Sequence, residues 1–569
     1  MENNYDHLTI CIGYKNVFGN ELTQEELIAI MSKYPLSLWL DLFAKIEGFL
    51  LVKRDDIPDV QEYLAQAFFL PEILSKIKSQ ATDPAVYFTL GQLNLLRKLA
   101  IAYGTNGTET HLKIADICSV LLGAQDYHNN YDELPNGAQD FDAFCKFVIR
   151  NGYLNNPVNF STLFSRAYQM NILQAKNVTF RTDESFDDFF IENMKMPVDE
   201  ATALNFALSS PFLQSKELLM GQTTIFDPVD FFSKLYLSKE KIDSLAESFS
   251  IDLAEAKLQI IEELKPENLS DMPIGYDVSI FRKKPLIRLP DGKLVCGNLD
   301  CFFQKATQNL VWMPKARVTG LSKQEDNALA KGLTSYRGQL FESYMRYLFK
   351  EMESKNARMS FTYIPAEDTT DNEEVGDSIL IQDDKLILVE AKSRQFNEAF
   401  KNSGDWINDG QFIKELIEKS TEQIDKAVQK IRSGQVAKFP VDPAQIKKVY
   451  PVVVIYEAFP VGFKMQRLIR QKVKELGHLT DPIFAPLEII YVGDLEYIMN
   501  GYDTFTFAEL LEQKHSGDPH ASETSFHNFS TFYLHSNGVI SNGWEREQSD
   551  KFSEDVTRPN LKFKDIPNE

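Results

Sequence analysis

The sequence predicts an α+β multidomain protein, with a largely helical N-terminal half followed by an α/β domain whose central mixed sheet is flanked by helices. Three observations predict this. Apolar residues recur at helical spacing through residues 1–270, with cap residues ahead of several runs. The pattern changes near 275–312 to short apolar runs separated by a turn signal. Beyond that come helical stripes and continuous apolar runs of strand length, VYPVVVIY at 449–456 and LEIIYV at 487–492, as expected of strands buried on both faces.

A chain of 569 residues and 65.1 kDa is long enough for about three domains. The expected division is a helical recognition or regulatory region at 1–270, a β-hairpin connector at 271–330, an α/β domain at 331–512 and a polar C-terminal tail at 513–569. Hydrophobic and charged shares of 43% and 25% are those of a soluble globular protein. The formal net charge of −22 is unusual for a protein that grips nucleic acid unaided, because phosphate contacts come mainly from Lys and Arg. A local basic face or a partner would have to supply the attraction. The 5 cysteines are scattered and odd in number, which points to reduced thiols in a cytoplasmic protein. Cys296 and Cys301 lack the second ligand pair that a zinc site needs. The N-terminus has no basic segment leading into an apolar one, so no signal peptide is expected. No run reaches about 18 apolar residues, and Leu36 to Val52 is broken by Asp41, Lys45 and Glu47, so no membrane partner is expected.

In the helical half, Thr23 and Glu26 have capping-box spacing. Asp83-Pro84 reads as a cap followed by a first-turn proline, ahead of a helix through Tyr103. Helical patterns follow at Leu112–Leu122, Phe141–Ile149, Phe160–Leu173 and Phe186–Met194. Asp227-Pro228 starts another through Leu237, and Ser238–Leu264 reads as one or two helices. The last pair lacks the glycine turn and basic second helix of a DNA-reading helix-turn-helix, which favours an interaction or scaffold role. Tyr127 to Tyr131 reads as a polar loop. No fixed-period repeat, Walker-type loop or zinc-finger spacing occurs. The half as a whole is expected to recognise a partner protein, a ligand or part of a substrate.

Residues 276–281, 285–289 and 294–296 read as short strands, with Pro290-Asp291-Gly292 as a turn. Lys283, Lys284, Arg288, Lys315, Arg317, Lys323 and Lys331 add positive charge. A helix is then predicted over Thr334–Met352, with Phe341, Tyr344, Met345 and Leu348 as its apolar stripe and Gly338 allowing close approach to the sheet. A strand at Met359–Ile364 and an acidic loop at 367–374 lead into a β-hairpin. After it come a helix over Gly410–Ser433, the strand 449–456, a basic segment from Lys447 to Lys474, the strand 487–492 and a short helix capped by Asp494. The basic segment is either a phosphate-facing surface or an ordinary charged one. The tail, rich in Ser, Asn, His, Asp and Gly, is expected to be loose, with Phe529–Leu534 docking as one strand.

The hairpin carries the chemistry. Ser378–Gln382 and Lys385–Lys392 flank the polar pair Asp383-Asp384. Reflection through a two-residue turn places Asp377 opposite Glu390. Strand alternation puts Glu390 and Lys392 on one face. Two carboxylates and an ammonium thus converge at the end of a strand that is apolar on both sides. One explanation is a solvated strand end with a surface salt bridge. The other is a functional site, since two hard oxygen ligands side by side suit Mg²⁺.

Asp377 with Glu390-Ala391-Lys392 resembles the PD-(D/E)XK nuclease superfamily, whose domain has a restriction endonuclease-like fold. The resemblance covers about residues 330–500. Two flanking features extend it: Glu342 in the helix that opens with Arg337-Gly338-Gln339, and Gln423 on the helix after the hairpin. RecB-like members often carry a tyrosine four residues beyond that glutamine, and this chain has Ala427 there. The resemblance implies a Mg²⁺-dependent nuclease (with Mn²⁺ as substitute) acting on DNA, in defence against foreign DNA or in DNA processing. It implies Asp377, Glu390 and the Ala391 carbonyl as metal ligands. Glu342 would act through water or at a second ion. Lys392 would steady negative charge or position the attacking water, and Gln423 would orient the site or touch substrate. RNA as the substrate, or a nuclease-fold module serving as an inactive binding or scaffold protein, are the competing expectations.

Overall fold

The computed structural model describes residues 12–52, 59–80, 86–105, 107–128, 146, 160–213, 222–265, 275, 277–369, 375–397, 400–401, 404, 413–436, 438–459, 463–539 and 541–564. It is a mixed α and β structure with two small sheets. Strands β1 (Ser250–Asp252), β2 (Leu286–Arg288) and β3 (Leu294–Cys296) form the first. There β1 is parallel to β2 and β2 antiparallel to β3. Strands β4 (Ser360–Thr362), β5 (Ser378–Gln382), β6 (Lys385–Lys392), β7 (Lys448–Ile455) and β8 (Glu488–Tyr491) form the second, in that spatial order. Its first three strands are antiparallel neighbours, and β6, β7 and β8 run parallel.

The caps predicted in the helical half form where they are described. Thr23 Oγ1 accepts the Glu26 N–H, and Glu26 returns a carboxylate to the Thr23 N–H. Asp227 Oδ1 accepts from Val229 and Asp230, although that helix ends at Phe231. Phe186–Met194 is helical as read. The helix expected from Asp83 begins at Leu90, because Thr89 and Gln92 make the capping box that sets its first turn; Asp83 and Pro84 lie outside the described residues. The helix read as Leu112–Leu122 spans Ile114–His128, so Tyr127 and His128 end a helix instead of lying in a loop. Most of the helix expected at Phe141–Ile149 lies outside the described residues. The 276–281 strand is not formed: Ser279–Lys283 is a helix, and the first sheet recruits Ser250–Asp252 instead. Ser238–Leu264 is two helices, Lys239–Phe249 and Leu253–Glu263, split by β1.

The helix predicted over Thr334–Met352 is part of a 33-residue helix, Lys323–Lys355, capped by Ser322 and Glu325. Gly338 is therefore mid-helix, and a Cβ there would meet only Ser393 Oγ at an ordinary 3.7 Å, so close approach does not require it. The helix after the hairpin is described from Ile413 and opens with a π-helical turn before Lys419–Arg432. Asp494 is not a cap. It lies in the first turn of the helix Val492–Met499 and accepts from His527.

The largest correction concerns the tail. In its described residues it is neither loose nor a strand: Pro519–Glu523, Phe526–Ser536 and Trp544–Phe552 are helices. Composition concealed a helical stripe. Trp544, Gln548, Phe552 and Val556 recur every four residues and are all buried. Phe552 packs against Phe164 and Phe206 of the helical half, with ring centroids 5.8 and 5.4 Å apart. One apolar core accordingly runs from Ile12 to Val556.

A buried ion pair ties the halves together. Arg166, on the helix Phe160–Tyr168, grips both carboxylate oxygens of Glu496, and its Nη1 donates to the Tyr491 hydroxyl at 2.9 Å. Tyr344 of the long helix donates to the same carboxylate at 2.7 Å. Arg166→Ala would leave Glu496 buried and unpaired, with an expected loss of about 3–5 kcal/mol in urea unfolding. Phe532→Ala, at a side chain 65% exposed, should change stability by under about 0.5 kcal/mol.

Candidate functional site

The hairpin register places the site. Ser378 pairs with Val389 and Gln382 with Lys385, so the turn is the two residues Asp383-Asp384. Asp383 takes a positive φ of 53°, a conformation that Asp tolerates better than most residues. One step beyond the last pair, the Asp377 N–H donates to the Val389 carbonyl at 3.0 Å. Gly376, at φ +66°, makes the bend that precedes it.

Strand β6 is buried on both faces. Leu386 and Leu388 join Ile424, Val428 and Ile431 in one core. Ile387, Val389 and Ala391 face the main core with Leu340 and Tyr344 of the long helix. Glu390 and Lys392 share the face of Leu386 and Leu388, and this is why they meet the helix Lys419–Arg432. Lys392 Nζ donates to Glu390 Oε2 at 2.9 Å and to Gln423 Oε1 at 3.0 Å.

Asp377 closes the cluster from the neighbouring strand. Its Oδ2 accepts the Ala391 N–H at 2.6 Å. In a strand, N–H and C=O of one residue point to the same edge. The Ala391 carbonyl therefore faces the Asp377 side, past the end of β5. Glu390 is only 2% exposed. Burial, the Asp377 carboxylate and, more weakly, Glu342 push its carboxyl up to about 7 against the pull of Lys392. Glu342 lies on the long helix, side chain 32% exposed, 3.6 Å from Arg346 Nη2. All the predicted site residues, Asp377, Glu390, Ala391, Lys392, Gln423 and Glu342, are thus gathered at the open end of β5 and β6.

Two arginines of this region carry no sequence-level prediction. Arg346 holds Glu342 in an i, i+4 pair, a spacing legible in the sequence. Arg337 is buried between Trp312 and Tyr456 and donates to the Ser393 carbonyl, next to Lys392. Nothing in its sequence context marks that contact, which depends on the helix crossing the strand end.

Part of the basic segment is engaged within the chain. Arg467 pairs with Glu523 at 2.9 Å. Arg470 donates to Ser522 Oγ at 2.9 Å, and Lys447 lies 3.4 Å from Asp384. The phosphate-facing surface expected there is occupied in part by the C-terminal helices. Of the cysteines, Cys118, Cys296 and Cys301 are buried thiols. Among the described residues no three His, Cys, Asp or Glu side chains stand close enough to surround an ion in this conformation. The chemistry of the donor set nevertheless suits a hard divalent cation: two carboxylates and a backbone carbonyl converge. Burial and the neighbouring Asp377 carboxylate both disfavour ionisation of Glu390, which an added positive charge would relieve. No helix among the described residues is long and apolar enough to cross a membrane. The chain matches no protein-family model, and no curated protein or solved structure matches it.

The raised Glu390 carboxyl has a stability consequence. With the folded value near 7 above an ordinary 4.5, the folded state takes up this proton more readily than the unfolded chain. The penalty for ionising Glu390 is full above pH 7 and is relieved as pH falls toward 4.5. Glu390→Gln mimics the neutral acid. It should raise the thermal midpoint at pH 8, with the gain shrinking by pH 5.5; no gain at pH 8 would contradict the buried, ionised carboxylate.

Proposed function

We propose that the chain is a metal-dependent nuclease that hydrolyses phosphodiester bonds of DNA, with its centre at Asp377, Glu390 and Lys392. One observation carries the reading: two carboxylates and an ammonium from opposite strands meet at a buried strand end, with Asp377 pinned to the Ala391 N–H. That arrangement fits a PD-(D/E)XK centre in a restriction endonuclease-like domain. Asp377, Glu390 and the Ala391 carbonyl would hold Mg²⁺ or Mn²⁺, and Glu342 would reach it through water or hold a second ion. When bound, the ion lowers the pKa of the attacking water and neutralises charge on the phosphate.

The remaining roles belong to the chain's own groups. The Ala391 N–H fixes the Asp377 carboxylate so that it need not reorganise. Lys392 is a three-donor point charge on a flexible stem, held by Glu390 and Gln423. It can turn one donor toward a phosphate oxygen while keeping the others. Gln423 restrains that ammonium and is exposed enough to touch substrate. The apolar walls of β6 shield the inner side of Glu390 from water, strengthening each charge contact. The helical half would supply recognition or control, through DNA or a partner protein.

A second reading has an observation in its favour. Arg467 and Arg470 are engaged by the C-terminal helices, which suits a binding or scaffold protein that never meets phosphate there. Cleavage assays decide between the two. Purified wild type with Mg²⁺ or Mn²⁺ should cut or nick DNA, and Asp377→Asn and Lys392→Ala should lose at least about a hundredfold in rate with the fold intact. Wild-type activity in either variant would sink the site assignment. A folded wild type inert on duplex DNA, single strands and RNA would favour the scaffold reading. Cleavage of RNA alone would replace the substrate.

A further inference from the structure

The cluster contains a cation to which the catalytic reading gives no role. Arg346 stands one turn beyond Glu342 on the 33-residue helix and makes three contacts with three different elements. Its Nη2 lies 3.6 Å from Glu342 Oε2 on its own helix. Its Nε donates to the Asp377 carbonyl oxygen at 3.5 Å, at the entrance to β5. Its guanidinium lies over the Tyr363 ring, 3.8 Å from the centroid, just past β4. An ordinary surface i, i+4 pair would need neither the aromatic platform nor the loop contact.

We propose that Arg346 is the positioning residue that holds Glu342 and Asp377 in register for divalent-cation binding, a role that rests on the metal-dependent reading above. Glu342 and Asp377 come from a helix and from a loop that could shift relative to each other. A planar group with donors on several sides reaches both, and it stacks on the Tyr363 face. The contact to Asp377 uses the backbone carbonyl. The side-chain carboxylate accepts the Ala391 N–H. Glu342 and Asp377 both oppose ionisation of Glu390, so the carboxylates repel one another before an ion arrives. Lys392 offsets that repulsion on the Glu390 side, and Arg346 offsets it on the Glu342 side. Groups that orient ligands in this way are worth about 10–100-fold in metal affinity.

The test is Mn²⁺ binding to the full chain, followed by electron paramagnetic resonance and calorimetry, beside the metal dependence of cleavage. Wild type should bind Mn²⁺ and Asp377→Asn should not. Arg346→Gln should bind about tenfold or more weakly, with the metal concentration for half-maximal cleavage raised and the rate at saturating metal little changed. Arg346→Lys keeps the charge but not the fork and should remain weakened. Tyr363→Leu should shift affinity the same way. These two carry the test if Arg346→Gln fails to fold. Mn²⁺ affinity in Arg346→Gln within about twofold of wild type, or full recovery in Arg346→Lys, overturns the positioning role and leaves the metal reading standing. Absence of Mn²⁺ binding by wild type overturns both.

Discussion

Strand β6 is paired along its full length with parallel β7 on one edge, and over Lys385–Val389 with antiparallel β5 on the other. The site depends on that double pairing. Ladder hydrogen bonds fix which way every side chain points, because a one-residue slip would turn Glu390 and Lys392 to the opposite face. Such a slip would also drive Leu386 and Leu388 out of the core they share with Ile424, Val428 and Ile431. The register is therefore held by apolar burial some distance from the charges. At the open end of β5, where Asp377 leaves the ladder, a backbone edge and two carboxylates come together.

Burial there is costly, and the surroundings show how it is managed. Glu390 is nearly sealed, next to Asp377, with its carboxyl pushed up to about 7. Each carboxylate has a specific partner: the Ala391 N–H donates to Asp377, Lys392 donates to Glu390, and Arg346 forms a 3.6 Å ion pair with Glu342. Lys392 is itself restrained by Gln423. Buried charges with defined partners and a raised carboxyl occur both in functional sites and in structural ion-pair networks. Arg166, Glu496, Tyr344 and Tyr491 make such a structural network in the same molecule. Theirs joins the helical half to the long helix and to the end of β8.

The charge distribution bears on substrate. The chain carries a net −22, and Arg467 and Arg470 are taken up by Glu523 and Ser522. Attraction for a polyanion would have to be local, and binding would be steeply salt-dependent where it rests on few cations. The C-terminal helices thus brace the main core through Trp544 and Phe552 and compete for basic side chains.

What was legible in the sequence was local. Alternation and a two-residue turn are enough to derive the Asp377–Glu390 apposition, since hairpin pairing follows from the turn alone. Capping boxes at Thr23 and the stripe of Phe341, Tyr344, Met345 and Leu348 were readable for the same reason: each depends on spacing within a few residues. Gln423 needed a resemblance, because spacing does not say which helix face meets the strand. Arg346 over Tyr363, Arg337 on the Ser393 carbonyl, β1 joining the first sheet and the C-terminal helices closing on Phe164 were decided only in three dimensions. Each joins segments far apart in the chain or depends on which of several apolar surfaces finds a partner. A stripe such as Trp544, Gln548, Phe552 and Val556 states that a helix has something to bury; only the tertiary structure supplies what it is buried against.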